Sequence, residues 1–141
     1  MMATEVQDTW ISDEYLHYIN EICEEYCICP ELVMAIIERE SSGQADAVNG
    51  DCKGLMQINE PYHVGRMKRL GVAELFAPYE NILVGVDYLS ELAAEYEDIS
   101  LVLDIYSGNS KAFQNYENGV VSDYAEEILE RTAKLERLHG K

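Results

Sequence analysis

One stretch sets the terms for the whole chain: Pro30 to Ile58, PELVMAIIERESSGQADAVNGDCKGLMQI. Its first part has the periodicity of a strongly amphipathic helix. Pro30 suits the first helical position, where its missing N–H costs nothing. Glu31 follows in the first turn, where a negative charge complements the helix dipole. At about 100° per residue, Val33, Ile36 and Ile37 share one face, and Glu40 falls near the middle of that face. Glu38 points the opposite way and reads as a solvated charge, with Arg39 to the side. The last turn of an apolar helix thus turns one carboxylate inward. Desolvation disfavours the charged form of such a group and raises its pKa. A glutamate tuned to roughly 6–7 serves as a general acid near neutral pH. Helix geometry alone does not separate that role from a glutamate escaping to solvent at a fraying end, or from an ion-paired structural carboxylate.

At 141 residues the chain has the size of a single domain, 1–141, with a sizeable core. Its net charge of −17, from 27 acids against 10 bases, argues against nucleic acid as a partner, because phosphate binding needs Lys and Arg. It argues equally against anchoring to an anionic membrane. No run approaches the roughly 18 apolar residues of a membrane span, so membrane insertion is not expected. The opening MMATEVQDTW has neither the basic nor the apolar region of a secretory signal. Ten Tyr stand against two Phe and one Trp. Tyrosine rings can line a groove that both stacks and hydrogen-bonds, although most of these fit half-buried helix positions equally well. Cys23, Cys27, Cys29 and Cys52 lack the paired spacing of a zinc site, so no metal is expected. They read as small buried hydrophobes, with a disulfide from Cys29 to Cys52 left open.

The rest of the chain reads as helices. Ser12 can cap a helix over Asp13–Tyr26 with Leu16, Ile19, Cys23 and Tyr26 inward. After GLMQI, Asn59-Glu60-Pro61 makes a turn. A helix through Val64, Met67 and Leu70 stops at Gly71, with Lys68 and Arg69 in its last turn. Further helices are predicted from about Asn81 to Tyr96, from Ser100 to Tyr106, and onward from Ser122. No long strand is evident. A short hairpin fits within residues 44–58.

Glu40-Ser41, the helix-ending Ser42-Gly43, the small polar loop through Ala47, Asn49, Gly50 and Asp51, and then Gly54-Leu55-Met56-Gln57-Ile58 form a recognisable order. The pattern resembles the soluble lytic transglycosylases (SLT type), a family related in fold to goose-type lysozyme. Asn81-Ile82-Leu83-Val84-Gly85-Val86-Asp87-Tyr88-Leu89 is similar to the family's Asn-Ile-x-x-Gly-x-x-Tyr-Leu signature. There the glycine is expected to pack against the catalytic helix. A glycine inside a good helix costs about 1 kcal/mol against alanine, so close backbone approach is the physical reason to look for. Tyr106 matches the Tyr of a family Ala-Tyr-Asn-x-Gly segment. Ser107 stands where Asn is expected, and Gly108 comes one residue early. Tyr124 resembles the Tyr of a Tyr-Val motif that lies near the catalytic acid in the family, and a core tyrosine reads equally well. The likeness covers residues 30 to 130.

The resemblance implies a mainly α, compact lysozyme-like domain with at most a short β-hairpin beside the active-site groove. It implies cleavage of the β-1,4 bond between N-acetylmuramic acid and N-acetylglucosamine in peptidoglycan, at the bacterial wall. Glu40 would be the single acid and base, with Ser41, Met56, Gln57, Tyr106, Ser107 and Tyr124 as substrate contacts and no cofactor. Two alternatives stay open. If Asp46 or Asp51 held a water some 6.5–9.5 Å from Glu40, the enzyme would be a lysozyme. The fold could also serve as a catalytically weak module of a phage tail or secretion channel. His63, nearest the motifs, receives no role. Delivery to the wall would come from a phage particle, a secretion or conjugation apparatus, or an export signal since removed.

Overall fold

The computed structural model describes residues 9–141. Most of the MMATEVQDTW segment considered above lies outside them. Ser12 caps α1, Asp13–Tyr26, by accepting the Tyr15 N–H, as its sequence predicts. The helix stops where Cys27 turns into the left-handed region. Then comes α2, Pro30–Ser41, with Pro30 in its first turn.

Helix α2 is more deeply set than an amphipathic pattern implies. Leu32, Val33, Met34, Ala35, Ile36 and Ile37 are all buried. A helix apolar on nearly every side belongs inside a protein, and α2 is the axis of this one. It packs against α1 on one side and against α7, Asp123–Leu138, on the other. Burying a side chain such as Ile36 or Ile37 contributes about 1.5–3 kcal/mol.

Glu38, expected in solvent, is instead 8% exposed. Arg131 of α7 grips it at both oxygens, at 2.6 and 2.9 Å, and the Thr9 hydroxyl donates to it at 2.6 Å. Glu31 is buried too and does more than face the helix dipole. His139 and Lys141, just beyond α7, reach it at 2.6 and 3.0 Å. Burial alone would raise its pKa, but those hydrogen bonds outweigh burial and bring it down to about 2. Ion pairs between distant chain segments thus fasten the α2–α7 face.

The loop after α2 forms a small antiparallel sheet of three two-residue strands, β1 Val48–Asn49, β2 Cys52–Lys53 and β3 Ile58–Asn59, in that order. The single short hairpin expected here is therefore a meander with one more strand. A 3-10 turn, Glu60–His63, leads into α3, Val64–Leu70, which ends at Gly71 as read from the sequence. Helix α4 runs Pro78–Glu95, beginning before Asn81 because Pro78 occupies its first turn. Helix α5, Ile99–Tyr106, follows. A short α6, Ala112–Glu117, was not foreseen. Asp104 ties this end together: fully buried, it accepts from Ser122, the cap of α7, and from Asn115 of α6. All four cysteines are free, so the Cys29–Cys52 link is absent. Among the described residues no helix is long and apolar enough to cross a membrane.

Candidate active site

Glu40 sits in the last turn of α2, and two left-handed residues, Ser42 (φ 54°) and Gly43 (φ 78°), turn the chain away immediately after it. The Ser41 side chain secures that ending. Its hydroxyl donates to the Ile37 carbonyl at 3.1 Å and accepts the Gly43 N–H at 3.2 Å. The predicted substrate contact at Ser41 is thus a buried hydroxyl already engaged with backbone.

Glu40 opens into a cavity of about 330 Å³. From the sheet, Asn49, Cys52 and Asn59 line it, with Gln57 just before β3. From the 3-10 turn come Tyr62 and His63, from α4 Tyr88, and from the end of α5 Tyr106, Ser107 and Gly108. Glu40 is the one carboxylate in this lining, and no lysine or arginine is part of it. Asp46 and Asp51 are exposed and lie outside the lining.

Burial raises the pKa of Glu40 above the ordinary carboxylate value, and two neighbours partly oppose the shift. The Tyr124 hydroxyl donates to Glu40 Oε2 at 2.6 Å, and Arg39 lies near enough to act by charge. Tyr124 is itself pushed far up by burial and by the neighbouring Glu40, so it remains a phenol and a donor. Arg39 stacks over the Tyr124 ring at 5.4 Å and pairs with Glu127 at 2.5 Å. The result is a protonatable acid with one fixed donor behind it and open space in front.

The Gly54–Ile58 segment owes its shape to α4. Asn81 is fully buried. Its Oδ1 accepts the Met56 N–H at 2.8 Å, and its Nδ2 donates to the Lys53 and Leu75 carbonyls, both at 2.8 Å. Only glycine fits at position 54: φ is +80°, and a Cβ would lie 2.1 Å from Asn81 Nδ2 and 2.5 Å from the Leu75 carbonyl. Gly85, one turn on from Asn81, lies against the Met56 side chain, where a Cβ would come within 2.3 Å of its sulfur. The glycine expected to meet the catalytic helix thus meets the signature loop instead. Met56, expected as a groove contact, is fully buried beneath the cavity wall, and its carbonyl accepts the Tyr106 hydroxyl at 2.7 Å. Asn81, Gly85 and Tyr106 all converge on this one residue.

Gln57 adopts φ +51°, and its N–H closes a turn onto the Gly54 carbonyl at 3.1 Å just before β3. Its Nε2 donates to the Ala47 and Gly54 carbonyls at 3.1 and 3.0 Å. Its Oε1 is buried without a hydrogen-bond partner. A buried unpaired acceptor is costly.

A match to the transglycosylase SLT domain extends over residues 17–127. The chain belongs to the SLT transglycosylase-domain family. A similar protein is a transglycosylase of Enterobacteria phage PRD1, 32% identical over 93 residues, which are 65% of this chain. The matched part is 34% of the phage protein, so this SLT domain corresponds to about a third of that relative's length. The mainly α architecture with its small sheet agrees with the lysozyme-like fold expected from the motifs.

Sequence reading missed several lining residues of the SLT domain. Tyr88 stood within the Asn81–Leu89 signature and was read only as part of it. His63 is buried, and burial together with the Arg66 charge lowers its pKa to about 4. Asn59 and Cys52 had no signal of their own, because a two-residue strand carries no readable periodicity.

Proposed function

We propose that this SLT domain cleaves the β-1,4 bond between N-acetylmuramic acid and N-acetylglucosamine in peptidoglycan, with Glu40 as the single acid and base. The observation that supports it most is a lone half-buried carboxylate in an otherwise uncharged, amide- and phenol-lined cavity. The Glu40 carboxyl gives its proton to the glycosidic oxygen as the C1–O bond breaks. The electron pair leaves with that oxygen, and C1 acquires oxocarbenium character. The Glu40 carboxylate then takes the proton from the 6-hydroxyl of the same muramyl sugar, whose oxygen closes onto C1. Glu40 ends protonated as it began, and no water is consumed. One group can perform both steps when its pKa lies near working pH, the direction in which burial moves Glu40.

Tyr124 holds the carboxylate through one oxygen and leaves the other for the substrate. Gln57, Tyr106 and Ser107 form the wall beside the bond. A muramidase would need a second carboxylate to activate water, and the exposed Asp46 and Asp51 offer none in the cavity. The phage relative makes a phage particle the natural vehicle to the wall, and the site of action is periplasmic or extracellular. The direct test is clearing of a peptidoglycan-containing gel. The protein clears it and Glu40→Gln does not; equal clearing by both, or none by either, refutes the catalytic assignment.

A further inference from the structure

The cavity has an outer end that the bond-breaking residues do not use. Tyr62 lines it and is nevertheless 70% exposed. Of the exposed aromatic rings, which include Trp10, Tyr79, Phe113 and Tyr116, Tyr62 is the one that lines the cavity. Its N–H donates to Asn59 Oδ1, the cap of the 3-10 turn. His63 meets it edge-on at 4.8 Å, and Tyr88 lies 6.2 Å away. His63 in turn stands edge-on to Tyr88 at 4.5 Å, and Tyr88 lies 5.5 Å from Tyr106 beside Glu40. Arg66 donates to His63 Nδ1 at 3.3 Å, which fixes that ring and places its proton on Nε2. The rings thus form a continuous aromatic wall from the acid outward, ending in Tyr62 at the rim.

We infer that Tyr62 is an outer sugar platform, on which an uncharged N-acetylhexosamine ring away from the scissile bond stacks. This rests on the glycan-cleaving reading above. The apolar C–H face of a pyranose suits the electron-rich face of an aromatic ring. Tyr106 lies beside Glu40, Tyr88 packs on Tyr106, and Tyr62 lies beyond Tyr88, so Tyr62 is the ring of this series furthest from the acid. A chain seated at Glu40 therefore reaches Tyr62 only if it extends further along the wall. The lining carries no Lys or Arg, and His63 is neutral. Contact here is by rings and amides, so binding needs no ionic attraction. That suits a chain of net charge −17 holding a polymer that also bears carboxylates. A ring fixed before binding loses little entropy on contact.

The test uses uncharged chitin oligosaccharides from dimer to hexamer, titrated by NMR or calorimetry into the 141-residue protein carrying Glu40→Gln so that nothing is cleaved. Adding Tyr62→Ala weakens the hexamer roughly three- to tenfold and leaves dimer and trimer affinity unchanged. Tyr62→Trp restores hexamer binding, and raising the salt does not alter it. Because Tyr62 is exposed, the melting temperature of each variant matches its parent. Unchanged hexamer affinity in Tyr62→Ala, equal loss for dimer and hexamer, or no hexamer binding at all each overturns the proposal. Failure of the catalytic reading is separate: it appears as intact hexamer binding in a protein that leaves peptidoglycan uncut.

Discussion

Glu38 and Glu40 stand two residues apart on α2, one in the face locked to α7 and the other in the face that opens on the cavity. Glu38 has a bidentate arginine and a threonine hydroxyl. Glu40 accepts from one phenol, and Arg39, laid over that phenol's ring, acts on it by charge. The same side chain on the same helix is a fastening on one side and, on the reading proposed above, the acid on the other. Paired charge is comfortable in a partly buried site and therefore inert. A carboxylate whose desolvation outweighs its nearby charge and hydrogen bond leans towards its neutral form and can give up a proton in a reaction.

The largest effect should come from the cavity face. Glu40→Gln is expected to lower the cleavage rate by roughly 10²–10⁴-fold in solubilised peptidoglycan assays, while raising stability at neutral pH. The sign follows from linkage. The folded pKa of Glu40 lies above its ordinary value, so ionisation favours the unfolded chain. The glutamate penalises the native state once pH exceeds the unfolded value and does so fully above the folded one. The melting-temperature advantage of Glu40→Gln should therefore grow with pH and vanish in acid.

The α7 face should behave in the opposite way. Arg131→Met leaves Glu38 without its arginine and should cost about 3 kcal/mol in urea unfolding, with the rate per folded molecule retained. Joining it to Glu38→Leu should recover most of the loss, since a hydrophobic pair of similar volume often replaces an ion pair at little cost. A loss of catalysis without loss of stability in Arg131→Met would erase the distinction between the two faces.

Asn81→Ala bears on both faces less sharply. It strips the Met56 N–H and two carbonyls of their buried partner and should cost about 2 kcal/mol, with a fall in rate as the Gly54–Ile58 loop loosens. The smallest effect should be that of Tyr124→Phe. The hydroxyl favours ionised Glu40, so its removal raises the Glu40 pKa further. The alkaline limb of the pH–rate profile, where the acid loses its proton, should move to higher pH. Movement to lower pH would mean that Tyr124 acts otherwise than as a donor.

Much of this arrangement could be read from the chain. The longer helices announced themselves by period and caps, and Ser12, Gly71 and Ser122 fell where they were expected. Glu40 was readable because three apolar neighbours fix its direction. Glu38 was misread because its partner lies 93 residues away, and no local pattern reports such a contact. Gly85 announced a close approach correctly but not to what, since Met56 lies in an irregular loop whose path periodicity cannot give. The short α6 lies in a polar stretch and is held by Asp104 and by Phe113 edge-on to Tyr96, tertiary contacts rather than propensity. The aromatic wall combines four rings from three elements, and only folding brings them together.

Mass spectrometry of the soluble products from purified peptidoglycan tests the single-acid mechanism most directly. Muropeptides ending in 1,6-anhydromuramic acid, absent with Glu40→Gln, are the predicted result. Reducing-end muropeptides, heavier by one water, would contradict it and require a second group that activates water.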